Sequence, residues 1–106
     1  MNSDIFDRLA QTFAARKHAD PAISYTSALF AKGSDAILKK IGEEATELIM
    51  ATKDGKPSAI IHEASDLVFH VLMLLSLHGL SMDDIKYELE RREGVSGIEE
   101  KASRPR

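Results

Sequence analysis

Glu43, Glu44 and Glu47 stand at helical spacing in one segment, and Glu63 and Asp66 do so in another. At 100° per residue the first three lie within an arc of about 100°, and the second two lie about 60° apart. Asp54-Gly55, a helix-ending pair, falls between the two sets. A short turn makes its flanking helices antiparallel neighbours. The two sets of acids lie at similar sequence distances from that turn, so they meet at about the same height on adjacent helices. Converging carboxylates repel one another and resist desolvation. Such a group is stable only if some members are protonated or a cation neutralises them. Oxygen ligands without thiolates or paired histidines favour Mg²⁺, with Mn²⁺ as a substitute. Mg²⁺ commonly binds through carboxylates plus substrate phosphates, which directs the chemistry to phosphate esters or anhydrides.

The plain alternative is a solvated acidic face, because acids on helices are mostly exposed and Glu is a good helix former. Against it, Glu63 and Asp66 directly precede the most apolar stretch of the chain, with Ile60, Ile61, Leu67 and Val68 around them. A di-iron carboxylate bundle needs two Glu-x-x-His pairs. Here the i+3 partners are Glu47 and Asp66, so that option is set aside.

Other residues suit a phosphate-bearing ligand. Lys32, Lys39 and Lys40 lie just upstream of the acids, and Arg91 and Arg92 close a later helix. Each is more readily read as a solvated charge, and the arginines also suit the negative C-terminal end of their helix. Ser24, Tyr25 and Thr26 stand at a helix start, where free amides and hydroxyls can meet phosphate or ribose, or simply cap the helix and fill the core. His70, four residues after Asp66, can share its face and support its carboxylate, or be a satisfied core histidine. His62 is expected on a different face from the acids, and His18 and His78 are read as structural or solvated.

The elements that position these residues are helical. The sequence predicts a first helix from about Asp4 to Lys17, capped by Ser3 or Asn2, with Ile5, Leu9 and Phe13 on its apolar side. After a connector containing Pro21, Ser24 can cap a short helix stopped by Gly33. Ser34 can cap the next, which runs to about Lys53 and carries Ile37, Ile41, Leu48 and Ile49 on one stripe. Pro57 suits the first turn of a long helix that Gly79 ends. Ser81 with Asp84 resembles a capping box for the last helix, which ends near Gly94. Sustained period-2 alternation is absent, so no strand is expected.

The 106 residues fit one all-α domain, a compact bundle of four to five helices spanning 1–106, with 95–106 as a polar tail. Hydrophobic residues make up 43% and charged residues 29%, a globular composition. The absence of cysteine excludes disulfides, Cys-ligated zinc and a thiol nucleophile, and suits a reducing compartment. A net charge of −3 with no basic stripe argues against nucleic-acid binding. The N-terminus carries early acids and no apolar h-region, so no signal peptide is expected. Leu67 to Leu77 is shorter than the roughly 20 residues that span a bilayer and is read as part of a buried core helix. The second half of that helix is apolar around most of its circumference, and a small bundle has few ways to bury it. A second copy of the chain is the economical cover, so a homodimer is expected to complete the core.

The pattern Glu44-x-x-Glu47, fifteen residues, Glu63-x-x-Asp66 resembles the metal motif of the all-α (MazG-type) nucleoside triphosphate pyrophosphohydrolases. Ser24-Tyr25-Thr26, Lys40-Ile41-Gly42-Glu43-Glu44-Ala45-Thr46-Glu47, Ser65-Asp66-Leu67-Val68-Phe69-His70 and the segment from Gly94 to Lys101 resemble the phosphoribosyl-ATP pyrophosphatases of histidine biosynthesis. Ser65 stands where that family more often has Ala, and Phe69 where it often has Tyr; neither is a motif acid. The resemblance implies Mg²⁺-dependent hydrolysis of phosphoribosyl-ATP to phosphoribosyl-AMP and pyrophosphate, a homodimer and the cytoplasm. By motif match, Glu44, Glu47, Glu63 and Asp66 are the metal ligands.

Glu43 and Glu47 are the candidates for the carboxylate that takes the proton from water. Lys40, Tyr25, Thr26, Lys32 and Arg92 are the candidates for holding substrate. A house-cleaning pyrophosphatase of free (d)NTPs would share the four acids. A non-catalytic helical dimerisation module would carry the same acids as a solvated face. A part of a larger histidine enzyme is a third alternative, against which the short chain with an initial Met favours a free-standing protein.

Overall fold

The computed structural model describes residues 4–104, which form six α-helices with no strand among them. They are α1 (Ile5–Arg16), α2 (Tyr25–Lys32), α3 (Ser34–Asp54), α4 (Pro57–Leu77), α5 (Met82–Arg92) and α6 (Gly97–Ser103). The all-α expectation holds. The count exceeds it by one, because the polar tail itself winds into α6, capped by the Ser96 hydroxyl on the Glu99 N–H.

The caps show why most boundaries were legible. Ser24 caps α2 by accepting from the Ser27 N–H. Asp84 returns a carboxylate to the Ser81 N–H at 2.9 Å, closing the expected capping box of α5. Two caps differ. Asp4 and Asp7 form a reciprocal box at the start of α1, while Ser3 and Asn2 lie outside the described residues. Ser34 is the first residue of α3 rather than its cap. Gly33, at φ 94°, holds the cap position, a backbone angle that strains any L side chain and lets α2 turn directly into α3.

The hairpin of α3 and α4 is the scaffold. Gly55, at φ 77°, donates its N–H back to Ala51 and Thr52 and ends α3 in the left-handed conformation. Pro57 starts α4 only two residues later, where its missing N–H costs nothing. The two helices share the largest interface in the chain; α2 packs on α3, and α1 on both α2 and α4.

The core lies where these four meet, around Phe13, Leu29, Phe30, Ile37, Leu72 and Met73. Phe13 is its centre, edge-on to Phe30 and to Phe69 at 6.0 and 5.2 Å between ring centroids. Each such side chain contributes about 1.5–3 kcal/mol by leaving water. The Lys17 ammonium donates to the Ser76 carbonyl near the end of α4, which ties α1 to it.

The expectation that α4 is a buried core helix needs correcting for the single chain. Only His70, Leu72 and Met73 of α4 are buried. By length and composition alone α4 could cross a membrane, yet just 17% of its most apolar window is covered. One helix of equal length, α3, and the shorter α1 cannot surround its 21 residues. Ile61 and Val68 stay exposed beside an open groove of about 470 Å³, lined also by Phe6, Leu9, Phe69 and Leu72.

Candidate metal and phosphate site

The facing helices of the hairpin bring together Glu44 and Glu47 from α3 and Glu63 from α4. One carboxylate oxygen from each lies within 4.8 Å of the others. An octahedral Mg²⁺ at about 2.1 Å sets its oxygens roughly 3 to 4 Å apart, so the three fit one ion after a small contraction. Glu44 is buried, Glu63 half-buried and Glu47 exposed, which gives the cluster a floor and an open mouth.

Two oxygens point to a cation. Glu44 Oε2 and Glu63 Oε2 are both buried without a hydrogen-bond partner. A buried carboxylate oxygen left unpaired costs several kcal/mol, and native structures rarely keep one without reason. Glu44 Oε1 does have a partner: Lys40 Nζ, one turn earlier, lies at 3.3 Å. The same ammonium stands 3.8 Å from Glu43. Burial is the largest influence on Lys40 and favours its neutral form. The hydrogen bond to Glu44, with Tyr25, Glu44 and Glu43 around it, outweighs burial and raises its pKa. Lys40 thus stays charged at the edge of the acids.

Asp66 takes part in a second group, with Glu63 and His62, whose ligand atoms also lie within 4.8 Å of one another. His62 corrects an expectation. It does not face away: its Nε2 lies 3.3 Å from Asp66 Oδ2, one turn along α4. The i,i+4 spacing carried that signal, and it was outweighed by the adjacency of His62 to Glu63.

Tyr25, the first residue of α2, reaches the same region. Its hydroxyl is 2.7 Å from His70 Nε2, while His70 Nδ1 is 2.7 Å from the Asp66 carbonyl. His70 is therefore a satisfied core histidine that supports the backbone of Asp66, not its carboxylate. Partial burial, then the charges of Glu44, Asp66 and Glu43 against Lys40, raise the Tyr25 pKa, so it stays protonated at neutral pH. The Ser24 hydroxyl is committed to Ser27 as a cap.

The remaining candidates are less convergent. Thr26 is half-buried in the first turn of α2. Lys32 is exposed at the end of α2, where a cation complements the helix dipole. Arg92 bonds Glu88 of its own helix at 3.1 Å, and Arg91 grips the same carboxylate at 2.8 and 2.9 Å. His18 and His78 are exposed.

An all-α hairpin with carboxylates converging from both of its helices, and a cation of its own at the rim, defines a candidate divalent-metal and phosphate-binding protein. Comparison with known proteins narrows the class. The family model described as phosphoribosyl-ATP pyrophosphohydrolase matches residues 6–93. A phosphoribosyl-ATP pyrophosphatase from Dechloromonas aromatica is 59% identical over 101 residues, covering 95% of this chain and 94% of the relative. Proteins of the same name from Bordetella parapertussis and Chromobacterium violaceum are 55% and 50% identical. They cover 97% and 98% of this chain, and 92% and 96% of their own lengths. The chain belongs to the phosphoribosyl-ATP pyrophosphohydrolase family.

Proposed function

We propose that this protein hydrolyses phosphoribosyl-ATP to phosphoribosyl-AMP and pyrophosphate, the second step of histidine biosynthesis, with Mg²⁺ at the acid cluster. Family membership supports the substrate. The observation that carries the chemistry is the convergence of Glu44, Glu47 and Glu63 around two buried, partnerless oxygens. Those three and Asp66 would hold the ion. When bound it supplies positive charge that draws in the triphosphate oxygens and stabilises charge on the leaving pyrophosphate.

The chain's own residues do the rest. Water attacks phosphorus, the α–β anhydride bond breaks, and pyrophosphate leaves with the bonding pair. Glu43 belongs to neither converging group, yet it follows Lys40 by one turn and adjoins Glu44. It is the carboxylate we assign to take the proton from water, with Glu47 the alternative if it is released from the ion. Lys40, held at the rim by Glu43 and Glu44, can turn its other N–H groups to phosphate.

The same reading includes a cytoplasmic enzyme that works as a homodimer. The uncovered side of α4 and its apolar groove suit a second copy, because an isolated chain would leave Ile61 and Val68 in water. The radius of gyration, 16.1 Å, is well above the roughly 13 Å of a compact chain this long, as fits a subunit that completes its core by pairing.

The test is pyrophosphate release from phosphoribosyl-ATP, ATP and the four dNTPs, each with Mg²⁺ and with EDTA. Mg²⁺-dependent release from phosphoribosyl-ATP is expected. Release from dNTPs alone would move the protein to nucleotide house-cleaning, and no release from any would reduce it to a helical dimerisation module.

A further inference from the structure

The Asp66 carbonyl can only accept a hydrogen bond, so the 2.7 Å contact to His70 Nδ1 puts a proton on that nitrogen. In the neutral imidazole Nε2 then has no hydrogen and can only accept. With the ring neutral, the Tyr25 hydroxyl, 2.7 Å away, is the donor. Ring packing holds the arrangement. Tyr25 meets His70 edge-on with centroids 5.8 Å apart, and Phe69 meets His70 edge-on at 5.5 Å. His70 itself is 5% exposed, so water does not compete for its nitrogens, whereas Tyr25 is 53% exposed and open to a ligand.

A phenol has one proton. With that O–H donated to His70 Nε2, the Tyr25 oxygen presents only lone pairs to the space beside Lys40, Glu44 and Asp66. A phosphate oxygen there would meet lone pair with lone pair. We infer that Tyr25 is a hydrogen-bond acceptor of the site, fixed in that role by His70, and that it receives a hydroxyl donor rather than a phosphate group. This rests on the acid cluster being the phosphate and cation site. Two sources supply such a donor: a sugar hydroxyl of the nucleotide, or a water held among the acids. His70 is a positioning residue, acting through Tyr25.

Two arms test this. Without substrate, ¹⁵N-edited NMR of His70 should show a single neutral tautomer with the proton on Nδ1, and Tyr25→Phe should shift Nε2 alone. A proton found on Nε2 would overturn the inference whatever the enzyme's activity. With substrate, Tyr25→Phe is compared with the parent on phosphoribosyl-ATP and on analogues each lacking one ribose hydroxyl.

If the donor is a sugar hydroxyl, Tyr25→Phe raises KM roughly three- to tenfold, the worth of one neutral hydrogen bond, and deleting that hydroxyl adds nothing in the variant. If the donor is water, kcat falls by one common factor on every analogue and KM holds. Unchanged kcat and KM would overturn the inference. His70→Leu should reproduce the split seen in Tyr25→Phe, and His70→Gln, whose amide oxygen can accept from Tyr25, should restore it in part. Should the parent fail to turn over phosphoribosyl-ATP, the proposed function falls and the NMR arm alone decides the role of Tyr25.

Discussion

One turn of α3 separates Lys40 from Glu44, and the ammonium satisfies only half of the carboxylate: Nζ is 3.3 Å from Oε1, while Oε2 is buried with no partner. The pair is a half-neutralised charge in a dry place. Removing Lys40 leaves Glu44 buried and wholly unpaired. We expect Lys40→Met to lose about 1–3 kcal/mol of stability in EDTA, and to recover more than the parent does when Mg²⁺ is added. Denaturant unfolding with and without Mg²⁺ measures both. Equal stability of the two proteins in EDTA would mean that Lys40 does not offset the buried charge of Glu44.

Glu47 and Glu63 separate metal binding from folding, because one is exposed and the other half-buried. Glu47→Gln should fold normally and lose at least about a hundredfold in activity, as even a supporting partner of a metal ligand can cost that much. The parent should gain about 2.7 kcal/mol in stability at Mg²⁺ one hundred times above its Kd. Glu63→Gln should gain far less at the same concentration. Thermal unfolding across a Mg²⁺ titration reads this without substrate, and identical gains in parent and variant would remove Glu63 from the ligand set.

Val68 is 41% exposed on the groove side of α4. A charge there is harmless in a monomer and would be desolvated between two copies. Val68→Lys is therefore expected to turn a dimer into a monomer in light scattering after gel filtration, with helix content kept in the monomer. A parent that is itself monomeric at all concentrations would dismiss the homodimer.

Glu88 titrates far from its ordinary value. Hydrogen bonds from Arg91, then Arg92, hold its pKa down from 4.5 to about 2. A depressed carboxylate pKa stabilises the folded state above the unfolded value, and that contribution fades as pH falls from 4.5 towards 2. NMR titration of the Glu88 carboxyl should show little protonation at pH 4. The double change Arg91→Ala with Arg92→Ala should return the midpoint towards 4.5, and so in part should high salt, since the group is exposed.

Much of this was legible in the chain because it depends on near neighbours. Helix ends follow from local chemistry: Ser24, Gly55, Pro57 and Ser81 each act within four residues. The acid pairs follow from helical periodicity. Their convergence follows from the short turn at Gly55, which leaves α3 and α4 no arrangement but side by side. Even Asp4, passed over in favour of Ser3 and Asn2, is a cap that its own carboxylate and Asp7 could have announced.

The tertiary structure decided what no spacing encodes. Forty-five residues separate Tyr25 from His70, and only the packing of α2 against the hairpin brings their rings together. Burial divided the acids, leaving Glu44 enclosed and Glu47 open although they stand one turn apart on the same helix. Both reach Glu63 of α4, so the division depends on what else packs around each, and thus on three-dimensional contact. Sequence could state that α4 is too apolar for a small bundle to cover, since that is a property of composition. Which side remains bare was settled by where α1, α2 and α3 found room to pack.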